Sequence, residues 1–310
     1  MKKTHPLLLI IRFISFFYSL LPRKLQISLG KGLGTLLYLF KFKEKIVRQN
    51  LKYAYPEEDR LRERIFRESY LHLGNLFLEI LLLFARKGKA QKSFIEKYVD
   101  FEGSHFFRTA QDQGKSVLFL SSHLGNWEIM GGAGALFLNS DLMLVTKHLK
   151  PEWLHLAIEE GRRASHLKAT YEPKTMKDIL HQFKKKAAVG FVLDQYAGPP
   201  VGVRVPLFGI PVSTSLAVAT LVKRSGAVVL PVENYRKPDG RWSVVVSAPV
   251  EWISHSDSHY ELALNTANYT ALLEKHIRKH PEQWLWIHRR FKGDLSPLKP
   301  EEWLAPRTRR

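Results

Sequence analysis

Between residues 115 and 279, short apolar runs alternate with longer amphipathic stretches, and this alternation leaves the chain few possible folds. Short apolar runs bounded by glycine or polar residues are typical of buried strands, and the longer stretches have helical periodicity. The predicted strands are Lys115–Ser121, Leu142–Thr146, Ala187–Leu193, Ala227–Val232 and Trp242–Val246. The predicted helices are Gly125–Leu138, Pro151–Ala164, Lys174–Lys186, Ser213–Ser225 (beginning on a Ser/Thr cap) and Asp257–Lys279. Alternating strands and helices predict an α/β fold with a mainly parallel central sheet and helices on both faces.

The first 50 residues have a different pattern, in which apolar stretches lie among basic residues. Pro6–Pro22 and Ile27–Phe40 are largely apolar, and residues 1–50 contain ten Lys or Arg against one acid, Glu44. A full membrane span needs about 20 apolar residues, and the first stretch is shorter and interrupted by Arg12. Two such helices favour insertion into one leaflet, where cations meet anionic headgroups. The alternative is a helical hairpin packed on the domain.

We therefore divide the chain into an N-terminal membrane-associating element, residues 1–50, and a catalytic domain, residues 51–310, which begins with a long helix over Glu57–Lys89. The formal net charge is +19, and almost half of it lies in the first element. Such a balance implies an anionic partner: a membrane surface, a nucleic acid, an acidic protein or a phosphorylated substrate. The absence of cysteine excludes disulfides, Cys-ligated metals and a thiol nucleophile.

The segment SSHLGNWE, at the end of the first strand of the alternating region, carries the most informative polar residues. It places His123 just past the strand and Glu128 in the first turn of the next helix. Ligands of α/β sheets bind beyond the carboxyl ends of strands, and histidine suits a general base near neutral pH. A carboxylate five residues on is expected to fold back and hydrogen-bond the imidazole. With a hydroxyl brought by the substrate, this pair indicates acyl transfer.

The spacing by itself is weak evidence, since His155 and Glu160 repeat it inside a predicted helix, where residues five apart point in different directions. What distinguishes the first pair is its position between an apolar strand and a helix. His276 and His280 have one-turn spacing for a metal pair, but a third ligand is not evident, so we predict no metal site and no cofactor.

Four stretches resemble motifs of the lysophospholipid acyltransferase-like superfamily, specifically its late acyltransferases of lipid A biosynthesis of the lauroyl/myristoyl type. SSHLGNWE is similar to the first motif of that family. The other matching stretches are Phe191–Gly209, Val222–Val232 and Pro281–Lys292, the last of which reads PEQWLWIHRRFK and is the most specific. The apolar, basic N-terminus also resembles the membrane anchor of the family.

The resemblance implies a role for each matching residue. His123 would be the base and Glu128 its partner. Arg162, with Arg163 as a competitor, would be the functional arginine of the family, and Asp194 would be its loop aspartate. We assign Arg162 and Asp194 to substrate binding or to the oxyanion, since, independently of the resemblance, an arginine aimed into a basic cleft is suited to hold a phosphate or to stabilise the developing oxyanion. The alternatives are purely structural roles, namely a surface salt bridge for Arg162 and a loop cap for Asp194.

This chain departs from the family pattern after Asp194. Relatives often read Asp-His-Asp, whereas Asp194 is followed by Gln195 and Tyr196 here. The roles that the resemblance would give to the second and third positions therefore do not carry over.

By resemblance, the chain is a membrane-associated O-acyltransferase at the cytoplasmic side of the bacterial inner membrane. The donor would be acyl-acyl carrier protein or acyl-CoA, and the acceptor an anionic lipid, a hydroxyl of a lipid A precursor. Another lipid acceptor within the same superfamily is the first alternative, namely a glycerophospholipid, a glycolipid or a phosphatidylinositol mannoside. A basic protein without catalysis, bound to nucleic acid or membrane, is the second. Because so much charge lies around apolar helices, we expect no nucleic-acid partner.

Overall fold

The computed structural model describes residues 6–85, 89–172 and 175–297. Within these ranges the strands are β1 Val99–Glu102, β2 Val117–Ser121, β3 Leu142–Val145, β4 Leu167–Thr170, β5 Ala188–Val192, β6 Gly202–Leu207, β7 Ile210–Ser215, β8 Val228–Arg236 and β9 Trp242–Val246. The helices are α1 Pro6–Leu20, α2 Arg23–Leu39, α3 Glu44–Ala54, α4 Asp59–Ala85, α5 Lys89–Tyr98, α6 Ser104–Asp112, α7 Trp127–Leu138, α8 Glu152–Ala164, α9 Thr175–Lys184, α10 Ala217–Ser225 and α11 Ser258–Lys279.

Seven of the strands form one sheet in the order β1-β9-β8-β2-β5-β3-β4. The neighbours in this sheet pair in parallel except β8 and β9, which are antiparallel. At the centre, Val117 of β2 is in register with Ala188 of β5 and Val228 of β8. The prediction of a mainly parallel sheet is confirmed.

The central strand β2 is buried along its whole length, because each of its faces is covered by helices. Val117 and Phe119 belong to a hydrophobic cluster with residues of α5, α6 and α7. The alternate residues Leu118 and Leu120 belong to a second cluster with residues of α9, α10 and α11. The two-residue side-chain period of a strand thus divides one apolar run between two cores, and the helices lie on both faces as expected.

The predicted strands correspond to β2, β3, β5, β8 and β9. The long helix expected over Glu57–Lys89 is observed as α4, and residues 86–88 of it lie outside the described residues, as does Lys174 of the α9 prediction. Two strands of four residues, β1 and β4, were not predicted, since both mix polar with apolar residues.

The prediction of a helix beginning on a Ser/Thr cap at Ser213 is wrong. Ser213 lies in β7, which pairs antiparallel with β6 in a separate two-stranded sheet. The helix α10 begins four residues later, at Ala217, after Leu216 and without a side-chain cap. The turn that joins the two strands contains Phe208 and Gly209, both at positive φ, so the chain reverses there and places the predicted start of the helix in the hairpin.

The N-terminal helices pack on α4, and glycines make the crossing close. A side chain at Gly34 would meet the backbone of Tyr70 and Leu71, and one at Gly74 would meet the backbone of Gly30 and Gly34. Gly32, on the other side of α2, has open space around it. The close approach therefore depends on residues that lack a Cβ.

Although α1 and α2 both pack on α4, they leave many apolar side chains in contact with solvent. Ten of them are at least half exposed: Leu9, Ile10, Phe13, Ile14, Phe16, Phe17, Leu20, Leu36, Leu39 and Phe40. Among the described residues, no helix combines the length and the apolarity that crossing a membrane requires. Residues 1–5 of the predicted N-terminal element, including Lys2 and Lys3, and residues 298–310 of the predicted catalytic domain lie outside the described residues.

Candidate active site

Two of the predicted site residues meet at the carboxyl edge of the sheet because their strands are parallel neighbours. The last residue of β2, Ser121, is in register with Val192, the last residue of β5. The ladder continues one bond further, from the Leu193 N–H to the Ser121 carbonyl at 3.0 Å. His123 and Asp194, each two residues past its strand, therefore leave the sheet side by side.

His123 and Asp194 are joined by two hydrogen bonds. The imidazole Nδ1 lies 2.7 Å from Asp194 Oδ1, and the His123 backbone N–H donates to Asp194 Oδ2 at 2.8 Å. The indole Nε1 of Trp284 donates to the same Oδ2 at 2.6 Å. The Asp194 carboxylate is almost fully buried and accepts from the imidazole, the His123 backbone N–H and the indole. Asp194 therefore fixes the orientation of the imidazole, although the two residues are 71 positions apart in the sequence.

The electrostatics of this pair favour a charged Asp194. Burial by itself raises the pKa of the Asp194 carboxyl, but the positive charge on His123 and the hydrogen bonds from His123 and Trp284 outweigh it and lower the pKa to about 2. An ionised carboxylate accepts hydrogen bonds only, so the Nδ1 position of His123 carries the proton. The lone pair of the neutral ring is therefore on Nε2, the nitrogen that would act as the base.

The expected hydrogen bond between Glu128 and the His123 imidazole is not formed, and the partner of the imidazole is Asp194. Glu128 instead accepts two hydrogen bonds from Arg162 of α8, from Nη2 to Oε1 at 2.6 Å and from Nε to Oε2 at 3.0 Å. The physical reason is the start of α7: Asn126 caps the helix by accepting from the Ile129 N–H at 3.1 Å. Glu128 is thereby held in the first helical turn and directed towards α8.

Arg162 and Arg163, which the sequence did not distinguish, have different environments. Arg163 is exposed, whereas Arg162 is buried. Arg162 also donates to Glu159 Oε1 at 3.0 Å, so it does pair with a preceding acid, but away from the surface. Burial disfavours the charged guanidinium, and the adjacent Glu128 and Glu159 carboxylates more than compensate, so the pKa of Arg162 is raised.

A second buried ionic cluster supports the loop that carries His123, and no local sequence pattern predicts it. Glu79 of α4 forms ion pairs with Arg23 at 2.5 Å and with Arg236. Its other oxygen accepts from the Asn126 amide at 3.0 Å. Burial raises the pKa of Glu79, but the two arginines outweigh that effect and lower it to about 2. The N-cap of α7 is therefore bonded to a carboxylate that is anchored from two other elements.

His72 of α4 is also part of this support. Its Nε2 lies 3.2 Å from the Gly125 carbonyl, and burial followed by the charge of Arg236 lowers its pKa to about 3. A ring that stays neutral at ordinary pH adds no charge beside the loop. Like Glu79, His72 is distant in sequence from the motif, and only the packing of α4 across the sheet edge identifies it.

The C-terminal signature PEQWLWIHRRFK closes the site from the opposite side. Leu124 and Trp284 form an antiparallel bridge, and the Leu285 N–H donates to the His123 carbonyl at 3.2 Å. A small open cleft lies beside His123, between α4 and residues 283–287. His123 therefore lines an opening formed by two segments that are far apart in the chain.

The two histidine patterns that the sequence analysis set aside lie elsewhere. His155 is buried and contacts His148, with 3.1 Å between their ring nitrogens, while His280 stacks on Tyr235. In the described part of the chain, no group of three or more His, Cys, Asp or Glu side chains is arranged to hold a metal ion.

Comparison with known proteins adds an independent line of evidence. The family described as "Bacterial lipid A biosynthesis acyltransferase" matches residues 5–293. The chain is 28% identical over 276 residues to the lipid A biosynthesis palmitoleoyltransferase of Escherichia coli K12, covering 88% of this chain and 86% of that protein. It is 27% identical over 283 residues to the lipid A biosynthesis lauroyltransferase of the same organism, covering 88% and 87%. A lipid A biosynthesis acyltransferase of Haemophilus influenzae is 28% identical over 286 residues, with 88% and 86% covered.

Proposed function

The chain belongs to the bacterial lipid A biosynthesis acyltransferase family, and from this premise we propose that it transfers a fatty acyl chain from a thioester donor to a hydroxyl of a lipid A precursor. That it is an acyltransferase follows from the family and its named relatives. The observation that carries the proposed chemistry is the His123–Asp194 pair at the carboxyl edge of the sheet, beside the cleft.

In the proposed mechanism, His123 Nε2 takes the proton of the acceptor hydroxyl as its oxygen attacks the thioester carbonyl carbon. The tetrahedral intermediate then expels the thiolate, which receives the proton from the imidazolium, and the new ester is released. Asp194 holds the Nδ1–H tautomer and stabilises the imidazolium. General-base assistance of this kind contributes about 10²–10⁴ in rate.

Glu128 and Arg162 act in this proposal as positioning residues rather than as the partner of the base and a free anion-binding group. Three nitrogens of Arg162 already donate to Glu128 and Glu159. The pair ties the first turn of α7, which follows the His123 loop, to α8. We infer that both residues are needed for the geometry of the site and that neither contacts the reacting atoms.

The donor in this proposal is acyl-acyl carrier protein or acyl-CoA, since both present a thioester and an anionic carrier to a chain of net charge +19. The exposed apolar row on α1 and α2, with the lysines near it, favours attachment to the headgroup region of an anionic leaflet. Because the acceptor is a lipid, attachment at the cytoplasmic face of the inner membrane would bring the cleft to its substrate.

The decisive experiment incubates the purified full-length protein with either donor and a lipid A precursor, and weighs the lipid products by mass spectrometry. The expected result is a gain of one acyl chain per acceptor. His123→Ala should nearly abolish transfer while the far-ultraviolet circular dichroism stays that of the wild type, and His181→Ala, at an exposed position, should leave transfer unchanged. A folded His123→Ala variant with wild-type transfer would refute the mechanism.

Membrane attachment is tested separately by flotation with vesicles that contain anionic lipid. The double variant Phe13→Ser and Phe16→Ser removes apolar area from the exposed row of α1 and should float less. Val201→Ser changes an exposed apolar residue elsewhere on the molecule and should float like the wild type. Equal flotation of the double variant would contradict the assignment of this surface.

A further inference from the structure

The nitrogen that would act as the base is already covered by a side chain. The Gln195 side-chain amide nitrogen lies 3.3 Å from His123 Nε2. Because Asp194 accepts the Nδ1–H of the same ring at 2.7 Å, the lone pair is on Nε2, and the amide of Gln195 is the donor in this contact. Gln195 therefore occupies the position in which the oxygen of an attacking hydroxyl, or of a water, must lie.

The backbone of Gln195, from which its side chain reaches His123 Nε2, is held by a buried arginine. The Arg290 Nη1 donates to the Gln195 carbonyl at 3.1 Å and to the Ser213 carbonyl at 2.7 Å. Arg290 is 1% exposed, so these bonds are shielded from water. They fix the segment after β5 against the β6–β7 hairpin, and they bond the backbone of Gln195 rather than its half-buried side chain.

We propose that Gln195 caps the base when no acceptor is bound and thereby suppresses hydrolysis of the acyl donor, an inference that rests on the proposed function. In the suppressed reaction, a water gives a proton to Nε2 as its oxygen bonds to the thioester carbonyl carbon. The carbon–sulfur bond then breaks, and the thiolate takes the proton from the imidazolium. The products are a free fatty acid and a thiol.

The cap discriminates because the two competing nucleophiles are held differently. A lipid hydroxyl is delivered by a large molecule whose other contacts compensate for the displaced amide hydrogen bond. A water has no such contacts and must compete with a tethered amide for a single lone pair. The net stabilisation from one such hydrogen bond makes the capped site about tenfold more populated than the uncapped site. Removal of the cap should therefore raise the rate of hydrolysis about tenfold.

The test compares the wild type with Gln195→Met, which keeps the length of the side chain without a donor, and with the smaller Gln195→Ala. Each protein is incubated with lauroyl-CoA without an acceptor, and the released thiol is titrated with a chromogenic thiol reagent. The chain contains no cysteine, so the protein contributes no background. Hydrolysis should rise about tenfold in both variants, and the ratio of hydrolysis to transfer should rise when a lipid A precursor is added.

Adding His123→Ala to Gln195→Met should return hydrolysis to the level of His123→Ala alone, since the extra water is activated by His123. Hydrolysis that is unchanged or lower in both folded single variants, or a rise that survives His123→Ala, would overturn the cap. A wild type that transfers no acyl chain to any lipid A precursor would instead overturn the proposed function. The two failures are therefore read from different measurements.

Discussion

Replacing Asp194 by Asn tests the assignment of the base partner most directly. The carboxylate accepts from His123 Nδ1 through one oxygen, and from the His123 N–H and Trp284 Nε1 through the other. An Asn side chain has a single acceptor oxygen. If that oxygen serves the two N–H donors, the amide NH₂ faces Nδ1 and the proton of the neutral ring moves to Nε2. The base then has no lone pair towards the substrate.

The expected fall in the kcat of Asp194→Asn has two parts. Burial raises the pKa of Asp194, but the charge of protonated His123 and the hydrogen bonds to the carboxylate outweigh it and lower the pKa from 3.8 to about 2, a net change of about 2–3 kcal/mol, or roughly 60-fold. Loss of the correct tautomer adds to this, as it does in serine-protease triads. We therefore expect kcat to fall by about 10²–10⁴, with a much smaller change in KM for the acceptor.

The assay is steady-state transfer of a radiolabelled acyl chain to a lipid A precursor, with folding checked by thermal unfolding. Asp141→Asn, at an exposed acid paired with Lys168, is the matched control and should retain wild-type kcat. Glu128→Gln is the informative comparison. If Glu128 oriented the imidazole, Glu128→Gln would lower kcat more than Asp194→Asn does. A folded Asp194→Asn protein with wild-type kcat would refute the reasoning.

Three further outcomes concern stability. In a denaturant titration, Gly34→Ala should lower the free energy of unfolding by about 1–3 kcal/mol, because its Cβ would lie 2.6 Å from the Cα of Leu71. Gly32 has open space around it, so Gly32→Ala should be neutral or slightly stabilising in the same titration. Glu79→Gln leaves two buried arginines without a carboxylate and should cost about 3–5 kcal/mol, whereas Glu63→Gln at an exposed pair should cost less than about 1 kcal/mol. The pKa of Glu79 is lowered from 4.5 to about 2. Its contribution to the free energy of unfolding is therefore complete above pH 4.5 and is lost as the pH falls towards 2. Between these pH values, the stability of Glu79→Gln should depend less on pH than that of the wild type.

Much of the fold was predictable because its strands have local signals. The runs that became β2, β5 and β9 are apolar and bounded by glycine or polar residues, and burial on both faces of a parallel sheet requires that pattern. The β6–β7 hairpin was missed because the Ser/Thr-containing segment before α10 has the composition of a helix cap. Its role as a strand depends on pairing with residues 202–207, which no local pattern reveals.

The hydrogen-bond partners of the predicted site residues could not be predicted from the sequence. His123 and Glu128 are close in sequence, so a local hydrogen bond was the natural expectation, yet the helix start at Trp127 directs Glu128 to Arg162. The partner that replaces it, Asp194, is adjacent because two strands are parallel neighbours. Strand order is a property of the whole sheet, and a single sequence does not state it.

The closure of the site by Trp284 has a consequence for the order in which a newly made chain becomes active. Trp284 follows Asp194 by 90 residues and is among the last described residues to be synthesised. Domains begin to fold from the N-terminus during synthesis, so α1, α2 and the sheet edge that carries His123 emerge while this indole is still unmade. In an incomplete chain, the Asp194 carboxylate therefore lacks the indole donor that helps to hold it against His123, and this set of hydrogen bonds is complete only when the C-terminal segment docks.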